Sequence, residues 1–510
     1  MNETASAHDD GPALVLPPWR RALVLFVVIV GSTAFIAATF SAAALLPEMQ
    51  GAVAATQDEI AWTVTFNILA AAIVTPMSGW FISRFGRRRV QIWSTAVFTV
   101  ATFLCGSAHS LEELVFWRMV QGASGAPLIP LGQTIILDVF PRSRHRLVIA
   151  LFGMANTLGP VLGPAGAGYL AEHASWRWGF YMIVPVGIAA TLLSPFGLPR
   201  DVPRRPPGLD WVGFFSLALA IGASQLVFAR GQRLDWFESP EILIETFVAA
   251  AALYVFLCGS FLARTPFLNL RLLRDRNYAV GLFLVMLFGM LNFTPMVLLP
   301  PMLKGQLAQP DYVVGIVVSW RGLGVLVGFF ASMALSRTDP RLGMLLGFLI
   351  QVVSGRWLMS INLEIGFEVL AANAFLQGLA VGVIWTPLAT TTFWTLAPQH
   401  RPEAVAVFHL MRNIGSSFFI SWSVATVIRT AGVNYSHLAE FVSPVREFLQ
   451  LPAVLGRFSL DSLSGLLALS HEIERQARMM GYLNAFALYT LGSIVALPFV
   501  FMVGGAQRKT

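Results

Sequence analysis

Charged side chains inside long apolar stretches are the residues of this sequence best placed to do chemistry. A charge among apolar groups costs on the order of several kcal/mol unless it is paired or faces water, so such a residue is a candidate for function. Arg118 is the strongest candidate, because a fixed cation beside a cavity would attract an anion or tune the proton affinity of a nearby acid. The alternative is a structural anchor that donates hydrogen bonds to backbone carbonyls. Arg321, about two turns into its stretch, could face a central cavity or an outer vestibule.

A small set of titratable groups could carry a proton. Asp58 and Glu59 start an apolar stretch and are the carboxylates nearest to an outer cavity, although acids at helix N-termini are usually caps. Asp138 ends the stretch that contains Arg118. His409 can change its charge near neutral pH, although a lone histidine is more often a core residue. These four residues and Arg118 are the proton-coupling candidates.

Polar and aromatic side chains in the same stretches are the candidates for a substrate cavity. Aromatic rings suit bulky apolar cations or weak acids, because stacking and cation–π contacts tolerate varied shapes. For Arg412 and Asn413, structural contacts between helices are an equal alternative. The cavity candidates are Trp62, Phe66, Asn67, Gln121, Asn292, Phe293, Arg321, Gln377, Arg412 and Asn413.

The composition indicates the medium that surrounds these residues. The chain of 510 residues is 56% hydrophobic and 12% charged, with a mean hydropathy of +0.68. Soluble domains carry roughly a quarter charged residues, so about half of the usual solvated surface is missing. A helix across a bilayer needs about 20 largely apolar residues, and such stretches recur along nearly the whole chain. The sequence therefore predicts an all-α polytopic membrane protein.

The apolar stretches predict fourteen spanning helices. Their expected bounds are 21–46, 60–82, 90–108, 112–138, 147–171, 177–196, 211–229, 241–263, 278–299, 313–335, 342–360, 368–395, 404–430 and 479–503. Twenty of the 34 Lys and Arg fall on alternate loops, which places these loops and both termini in the cytoplasm by the positive-inside rule. The same clusters account for the net charge of +7 without nucleic-acid binding.

One segment between the last two predicted helices, 431–478, is expected outside the membrane. It mixes apolar residues at helical spacing with charges, so it could lie on the membrane surface, meet a partner protein or pack on its own chain.

An internal repeat divides the chain. Gln377-Gly378 follows Gln121-Gly122 by 256 positions, and Gly415 follows Gly159 by the same interval. Duplicated halves are typical of secondary transporters, whose binding site lies near mid-membrane between the repeats. The seventh and eighth helices have no counterpart. The predicted units are a cytoplasmic tail (1–20), a six-helix bundle (21–198), two additional helices with their loops (199–277) and a second six-helix bundle (278–505).

Two groups of glycine, proline and arginine residues predict points of helix contact or motion. In the loop after the second helix, glycines allow tight backbone passage and arginines hold the turn against acidic groups or helix C-termini. In the fifth helix, two glycines on one face permit close packing and two prolines favour a bend. The residues are Gly79, Arg84, Gly86, Arg87 and Arg88 in the loop motif, and Gly159, Pro160, Gly163 and Pro164 in the helix motif.

Together with Arg118, these motifs resemble the three signature motifs of the major facilitator superfamily. Fourteen predicted helices make the chain similar to the 14-helix drug:proton antiporters, and the EmrB-like pumps among them are the nearest likeness. The resemblance implies the major facilitator fold, two six-helix bundles with two extra central helices. The motif of the fifth helix occurs mainly in exporters, so the resemblance also implies outward transport.

The sequence departs from that family pattern at its acidic positions. Ser83 stands where the loop motif usually has an aspartate, and Asp138 could supply the missing carboxylate. Ala38, and Asn484 with Ala485, stand where many relatives have acids within the membrane. The chain is therefore short of embedded acids that could carry the coupled proton.

The resemblance implies proton-coupled efflux of hydrophobic drugs across the bacterial inner membrane. It further implies a periplasmic membrane-fusion adaptor of the EmrA type and, through it, an outer-membrane channel. The alternative on the same fold is a dedicated exporter of one metabolite, fatty acid or siderophore. The spans contain no nucleophile–base pattern and no phosphate-binding loop, which argues against an intramembrane enzyme or drive by ATP. We expect no cofactor and no metal site, with the proton gradient as the energy source.

Overall fold

The computed structural model describes residues 16–199, 208–263, 266–335, 339–442, 458 and 462–504, and the regular structure in these ranges is helical. The first seven long helices are α1 (Pro18–Ala44), α2 (Gln57–Val74 continued by Ser78–Phe85), α3 (Arg87–Ser107), α4 (Leu111–Gly125 and Leu128–Val139), α5 (His145–His173), α6 (Trp178–Tyr181 and Val184–Gly197) and α7 (Trp211–Arg230). The next seven are α8 (Pro240–Leu262), α9 (Arg276–Gly305), α10 (Asp311–Leu335), α11 (Pro340–Leu358), α12 (Phe367–Thr392), α13 (Arg401–Glu440) and α14 (Leu463–Met502).

Eleven helices in the described ranges are long and apolar enough to cross a membrane. The three other predicted spans correspond to α4, α11 and α13. α4 is divided at Ala126–Pro127, and α11 and α13 carry arginines along their length, so hydropathy and length alone do not select them. The prediction of an all-helical polytopic membrane protein is confirmed.

The last two helices are longer than their apolar stretches. α13 continues as one helix to Glu440 and α14 already begins at Leu463, so these two helices extend past their predicted ends at 430 and 479 into both flanks of the segment 431–478. Charged pairs one turn apart support the polar part of α14, where Arg475 and Arg478 lie 3.1 and 2.5 Å from Glu472 and Glu474. Residues 443–457 and 459–461 lie outside the described ranges.

The two extensions form an antiparallel pair beyond the apolar windows. The hydroxyl groups of Tyr435 and Ser470 are 2.9 Å apart and join α13 to α14 there.

The same set of helix pairings occurs twice along the chain. In the first half α1 packs against α5 and α6, α2 against α4, and α3 against α4 and α6. In the second half α9 packs against α13 and α14, α10 against α12, and α11 against α12 and α14. Each pairing therefore recurs eight helices later, and the halves meet where α5 contacts α10 and α12 and where α13 contacts α2 and α4.

The inserted pair lies beside one of these junctions. α7 packs against both α2 and α13, whereas α8 packs mainly against α7. The insertion thus covers the seam between the halves on one side.

The repeated glycines lie where helix backbones touch. A Cβ atom on Gly122 of α4 would lie 2.2 Å from the carbonyl oxygen of Asn67 in α2. A Cβ atom on Gly378 of α12 would lie 2.0 Å from the carbonyl oxygen of Arg321 in α10. The repeated Gln-Gly pair therefore marks the closest approach of equivalent helix pairs.

The contact between α10 and α12 gives a test of this packing. Gly324→Ala would place a Cβ atom 2.0 Å from the carbonyl oxygen of Phe375, so we expect a loss of about 1–3 kcal/mol in stability. Gly315→Ala is the matched control in the same helix, because no atom lies within 4 Å of its Cβ position and alanine favours helix formation. Thermal unfolding of the purified protein in detergent should separate the two variants. Equal melting temperatures would contradict the proposed contact.

Candidate functional site: a central cavity with buried arginines

A cavity of about 390 Å³ lies between the two halves. Its wall is mostly apolar and comes from α1, α2, α4, α5, α7, α9, α12 and α13. Among the predicted cavity residues, Asn67, Asn292, Phe293, Arg412 and Asn413 line it, as do His409 and Pro160. Its volume falls in the range of small-molecule sites, roughly 300–1,000 Å³.

The end of the bundle that carries the basic loops, here called the basic end, is closed below this cavity. Asp138 of α4 lies 2.7 Å from the Arg87 guanidinium in its own half and 3.8 Å from the Arg401 guanidinium of α13 in the other half. Next to this bridge, Gly79 of α2 packs on the backbone of Glu403, with only 3.1 Å from its Cβ position to Glu403 Cα. Asp138 thus joins the loop motif to the opposite half, in the carboxylate role that Ser83 cannot fill.

A second link between the halves lies nearer to the cavity. His409 Nε2 of α13 and Gln133 Oε1 of α4 are 2.6 Å apart, and both side chains are buried. Since the glutamine oxygen can only accept, this nitrogen of His409 donates the hydrogen bond.

Part of the cavity wall away from the basic end is exposed. Ile68 and Val297, in its wall, are 39% and 36% exposed. The rings of Phe40 and Phe293 stack across the seam between the halves, with centroids 5.9 Å apart. A solute would therefore approach past apolar and aromatic side chains.

Arg118 does not line this cavity; it lies behind its wall and is fully buried. Its guanidinium donates to the backbone oxygen of Thr63 at 3.2 Å and to Gln121 Oε1. Gln121 in turn donates to Thr102 at 2.7 Å, and the lining residue Asn67 donates to the carbonyl of Arg118 at 2.8 Å. Arg118 therefore acts here as an anchor bonded to neutral oxygens, one residue away from the cavity surface.

Arg321 has an equivalent arrangement in the second half. Its guanidinium donates to Gln377 Oε1 at 2.7 Å and to Asn292 Oδ1 at 2.9 Å. Gln377 continues the network by donating to Asn373 at 2.8 Å. Arg321 thus does not line the central cavity; it lies behind Asn292 and borders a small separate pocket between α9 and α10.

The internal sequence repeat explains why Arg118 and Arg321 have similar surroundings. Gln121 and Gln377 are equivalent positions, and each accepts a hydrogen bond from a buried guanidinium. The arginines themselves are not equivalent: Arg118 is on α4 next to its glutamine, whereas Arg321 reaches Gln377 from α10. Arginines at non-equivalent positions of the two halves therefore bind the equivalent glutamine side chains.

Arg412 is the charged residue of the cavity wall within the described ranges. It donates to Asn413 Oδ1 at 3.1 Å, and its guanidinium carbon lies 5.9 Å from the centre of the Trp385 ring. The ring of His409 lies 6.1 Å from that of Trp385. The side chains of Arg412, Trp385 and His409 form one cluster, which we call the Arg412 cluster.

The remaining acidic and aromatic candidates are less central. Glu59 forms a reciprocal cap with Thr56, and the hydrogen bond from the Thr56 backbone lowers the pKa of this exposed carboxyl. Trp62 is exposed, and neither it nor Phe66 is in the cavity wall. The side chain of Asp58 lies outside the described part of the structure.

The motif residues lie at turns and helix contacts. Gly86, with φ of 82°, forms the turn between α2 and α3, where residues with a side chain are disfavoured. Arg88 donates to the carbonyl of Pro195 at 2.9 Å, whereas Arg84 is exposed. Gly163 lies with its Cβ position 2.6 Å from the carbonyl oxygen of Ala37, and α5 remains one helix through Pro160 and Pro164.

Four polar or aromatic residues of this region are not among the site candidates selected from the sequence. Trp385, Asn156 and Gln225 line the cavity, and Gln133 holds His409. Gln133 and Asn156 are uncharged and carry no motif of their own. A search for every amide within a predicted span would have found three of the four.

Comparisons with known proteins agree with the fold. Residues 27–290 match the family model described as Major Facilitator Superfamily. The chain is 30% identical to "Multidrug export protein EmrB" of Escherichia coli (strain K12), over 85% of this chain and 84% of that protein. It is 26% identical to "Fatty acid resistance protein FarB" of Neisseria gonorrhoeae, over 95% and 97% of the two chains.

A solved structure shares the architecture. The proton:xylose symporter XylE superposes with a TM-score of 0.62 at 14% identity, over 96% of this chain and 98% of that chain. With the match over half of the sequence and the helix pairings described above, the chain is a member of the major facilitator superfamily and is similar to its EmrB-like exporters.

Proposed function

We propose that this protein exports hydrophobic compounds by proton-coupled alternating access. The observation that carries the proposal is a largely apolar cavity between two equivalent six-helix units, with the ion pair of Asp138 and Arg401 joining the units at the basic end. Secondary transporters bind substrate at such a place and expose it to either side by rocking of the two units. The likeness to EmrB over most of the chain supports efflux of drugs or toxic compounds as the physiological role.

The distribution of basic residues supports an orientation. If the basic end faces the cytoplasm of a bacterial inner membrane, both termini lie inside and the exposed part of the cavity wall lies toward the outer side. The structure then corresponds to a state in which substrate has access to the outer side.

Coupling would act on the contacts that close the basic end. Protonation of Asp138 would remove the charge that holds both Arg87 and Arg401, and so favour opening of this end. His409 and Gln133 lie between the cavity and this bridge and offer the nearest titratable group in the wall. We therefore propose Asp138 and His409 as the proton-responsive residues, in place of the embedded acids that Ala38 and Asn484 do not provide.

A periplasmic adaptor of the EmrA type is the partner that we propose. The paired extensions of α13 and α14 project from the end opposite the basic one and carry exposed apolar residues, including Val433, Leu463 and Leu467. Such a surface offers a docking point for an adaptor leading to an outer-membrane channel.

A dedicated exporter of one amphipathic compound is the second candidate function. The likeness to a protein named for fatty acid resistance supports it. Deletion of the gene should then sensitise cells to one class of compound, whereas a multidrug pump should protect against several.

Gradient-driven transport tests the proposal. We expect proteoliposomes with an imposed proton gradient to move an efflux dye, and Arg118→Ala to lower the rate at least about 10-fold, because loss of one buried charged group costs about 1–3 kcal/mol. Arg429→Ala on the exposed side of α13 is the control and should behave as wild type. Transport that needs no proton gradient, or an Arg118→Ala protein as active as wild type, would contradict the proposal.

Asp138 gives a conformational test. Asp138→Asn should shift the population toward an open basic end by about 0.5–1 kcal/mol, because the carboxylate charge that attracts Arg401 of the other half at 3.8 Å is lost. Spin labels at Arg84→Cys and Gln399→Cys, on opposite halves, would report this as longer distances in a background without Cys105 and Cys258. Glu238→Gln, in the loop at the other end, is the control. An unchanged distance distribution would remove Asp138 from the mechanism.

A further inference from the structure

We infer that the Arg412 cluster is an anion-binding subsite, so that the preferred substrates are amphiphiles with a negatively charged head and an apolar tail. The inference rests on the proposed export function, because it assigns a substrate class to the same cavity. It follows from three features of the wall: its charge, its unused hydrogen-bonding groups and its apolar remainder.

The charge of the wall is positive. Arg412 is the charged residue among the lining side chains of the described ranges, with no lining carboxylate beside it there. The salt bridges found in those ranges do not include Arg412, and its side-chain hydrogen bonds go to the amide oxygen of the adjacent Asn413. A guanidinium has five N–H donors in a planar fork that matches a carboxylate or phosphate group. An incoming anion would therefore meet an uncompensated cation with donors to spare.

Unused polar atoms next to Arg412 indicate a ligand. Trp385 Nε1 and His409 Nδ1 are both buried and have no hydrogen-bond partner in the described structure, although each belongs to a residue of the cavity wall. Buried polar atoms of native proteins are nearly always bonded, so two such atoms in one cluster call for an explanation. The indole nitrogen can only donate, and a neutral imidazole that donates through Nε2 to Gln133 accepts at Nδ1. Arg412 and the indole nitrogen can therefore donate to an anion, and His409 Nδ1 can accept a hydrogen bond from a proton or a water molecule bound to that anion.

One glycine makes this arrangement possible. A Cβ atom on Gly153 of α5 would lie 2.3 Å from Trp385 Nε1, so a side chain there would displace the indole. Gly153 precedes Gly159 on α5, so the helix that carries the glycine-proline motif also contacts the proposed subsite.

The remainder of the wall suits an apolar tail. Toward the open end the lining side chains include Phe40, Ile68, Phe293, Met296, Val297 and Ile420. Burial of a hydrocarbon chain against them is favourable in proportion to the apolar area that is removed from water. A single amphiphile could place its head on Arg412 and its tail along this surface.

The same geometry disfavours a cationic substrate. The ring of Trp385 would be the best cation–π partner in the cavity, but the guanidinium of Arg412 already lies over it. A second cation there would meet a like charge in a medium of low dielectric constant.

Binding of two matched probes tests the inference without any transport. The full-length protein in phosphatidylcholine nanodiscs would be titrated at pH 8 with tritiated dodecanoate and with tritiated dodecylammonium. We expect the wild type to bind dodecanoate at least about 10-fold more tightly. Arg412→Gln should weaken dodecanoate binding by about 10- to 100-fold, the effect of losing a charge-assisted hydrogen bond, and leave dodecylammonium binding unchanged or tighter.

Two further variants distinguish loss of the anion-binding subsite from loss of binding through misfolding. Arg412→Lys keeps the charge and should retain most of the preference for the anion, whereas Arg429→Gln on the same helix should have no effect. Equal affinity of the wild type for both probes would overturn the inference. So would an Arg412→Gln protein, monodisperse in size-exclusion chromatography, that binds dodecanoate normally or weakens both probes alike.

A competition experiment with an anionic lipid identifies the source of the bound anion. Phosphatidylglycerol added to the nanodiscs should compete with dodecanoate only if a bilayer lipid is the natural occupant; otherwise a free amphiphile is. Since binding is measured without a gradient, loss of gradient-driven efflux would contradict the proposed function and leave the subsite standing. Loss of the anion preference would contradict the subsite alone.

Discussion

The solvation of cations in a membrane by neutral oxygen atoms is the interaction on which much of this structure depends. Arg118 and Arg321 are buried without a carboxylate, and each is held by backbone carbonyls or amide oxygens instead. An isolated charge in that position would cost several kcal/mol, so the surrounding polar groups must stay in place. Because these acceptors belong to different helices, each arginine fixes the packing of a helix pair.

That constraint connects the interior of each half to the cavity. Asn67 bonds the backbone of Arg118 and Asn292 bonds the guanidinium of Arg321, and both asparagines line the cavity. The close backbone contacts at Gly122 and Gly378 keep the helices near enough for these bonds. The two halves can therefore behave as rigid units, and the movable contacts lie between them: Asp138 with Arg401, and Gln133 with His409.

Much of this fold could be predicted from the sequence, because a bilayer imposes a minimum length of apolar residues on each span. All fourteen predicted spans coincide with helices, including α4, α11 and α13, where polar residues weaken the apolar signal. The ends of α13 and α14 were predicted at 430 and 479, where the apolar stretches stop, because hydropathy does not detect the part of a helix that leaves the membrane. The residues of the site were harder to predict. Arg118 and Arg412 are both arginines within apolar stretches, but only Arg412 is in the cavity wall. Which face of a helix meets a cavity depends on packing against distant segments, as the contact of Gln133 with His409 across the two halves illustrates.

The unbroken length of α13 has a mechanical consequence. This helix holds Arg401 and Glu403 at the basic end and His409 and Arg412 at the cavity, and it continues to Glu440 beyond the apolar part. At about 1.5 Å per residue, its 40 residues form a rod of roughly 60 Å. Under the proposed rocking of the two halves about the central cavity, a tilt of this rod that opens the basic end displaces its far tip in the opposite direction. A protein bound to that tip would then change position when the basic end opens or closes.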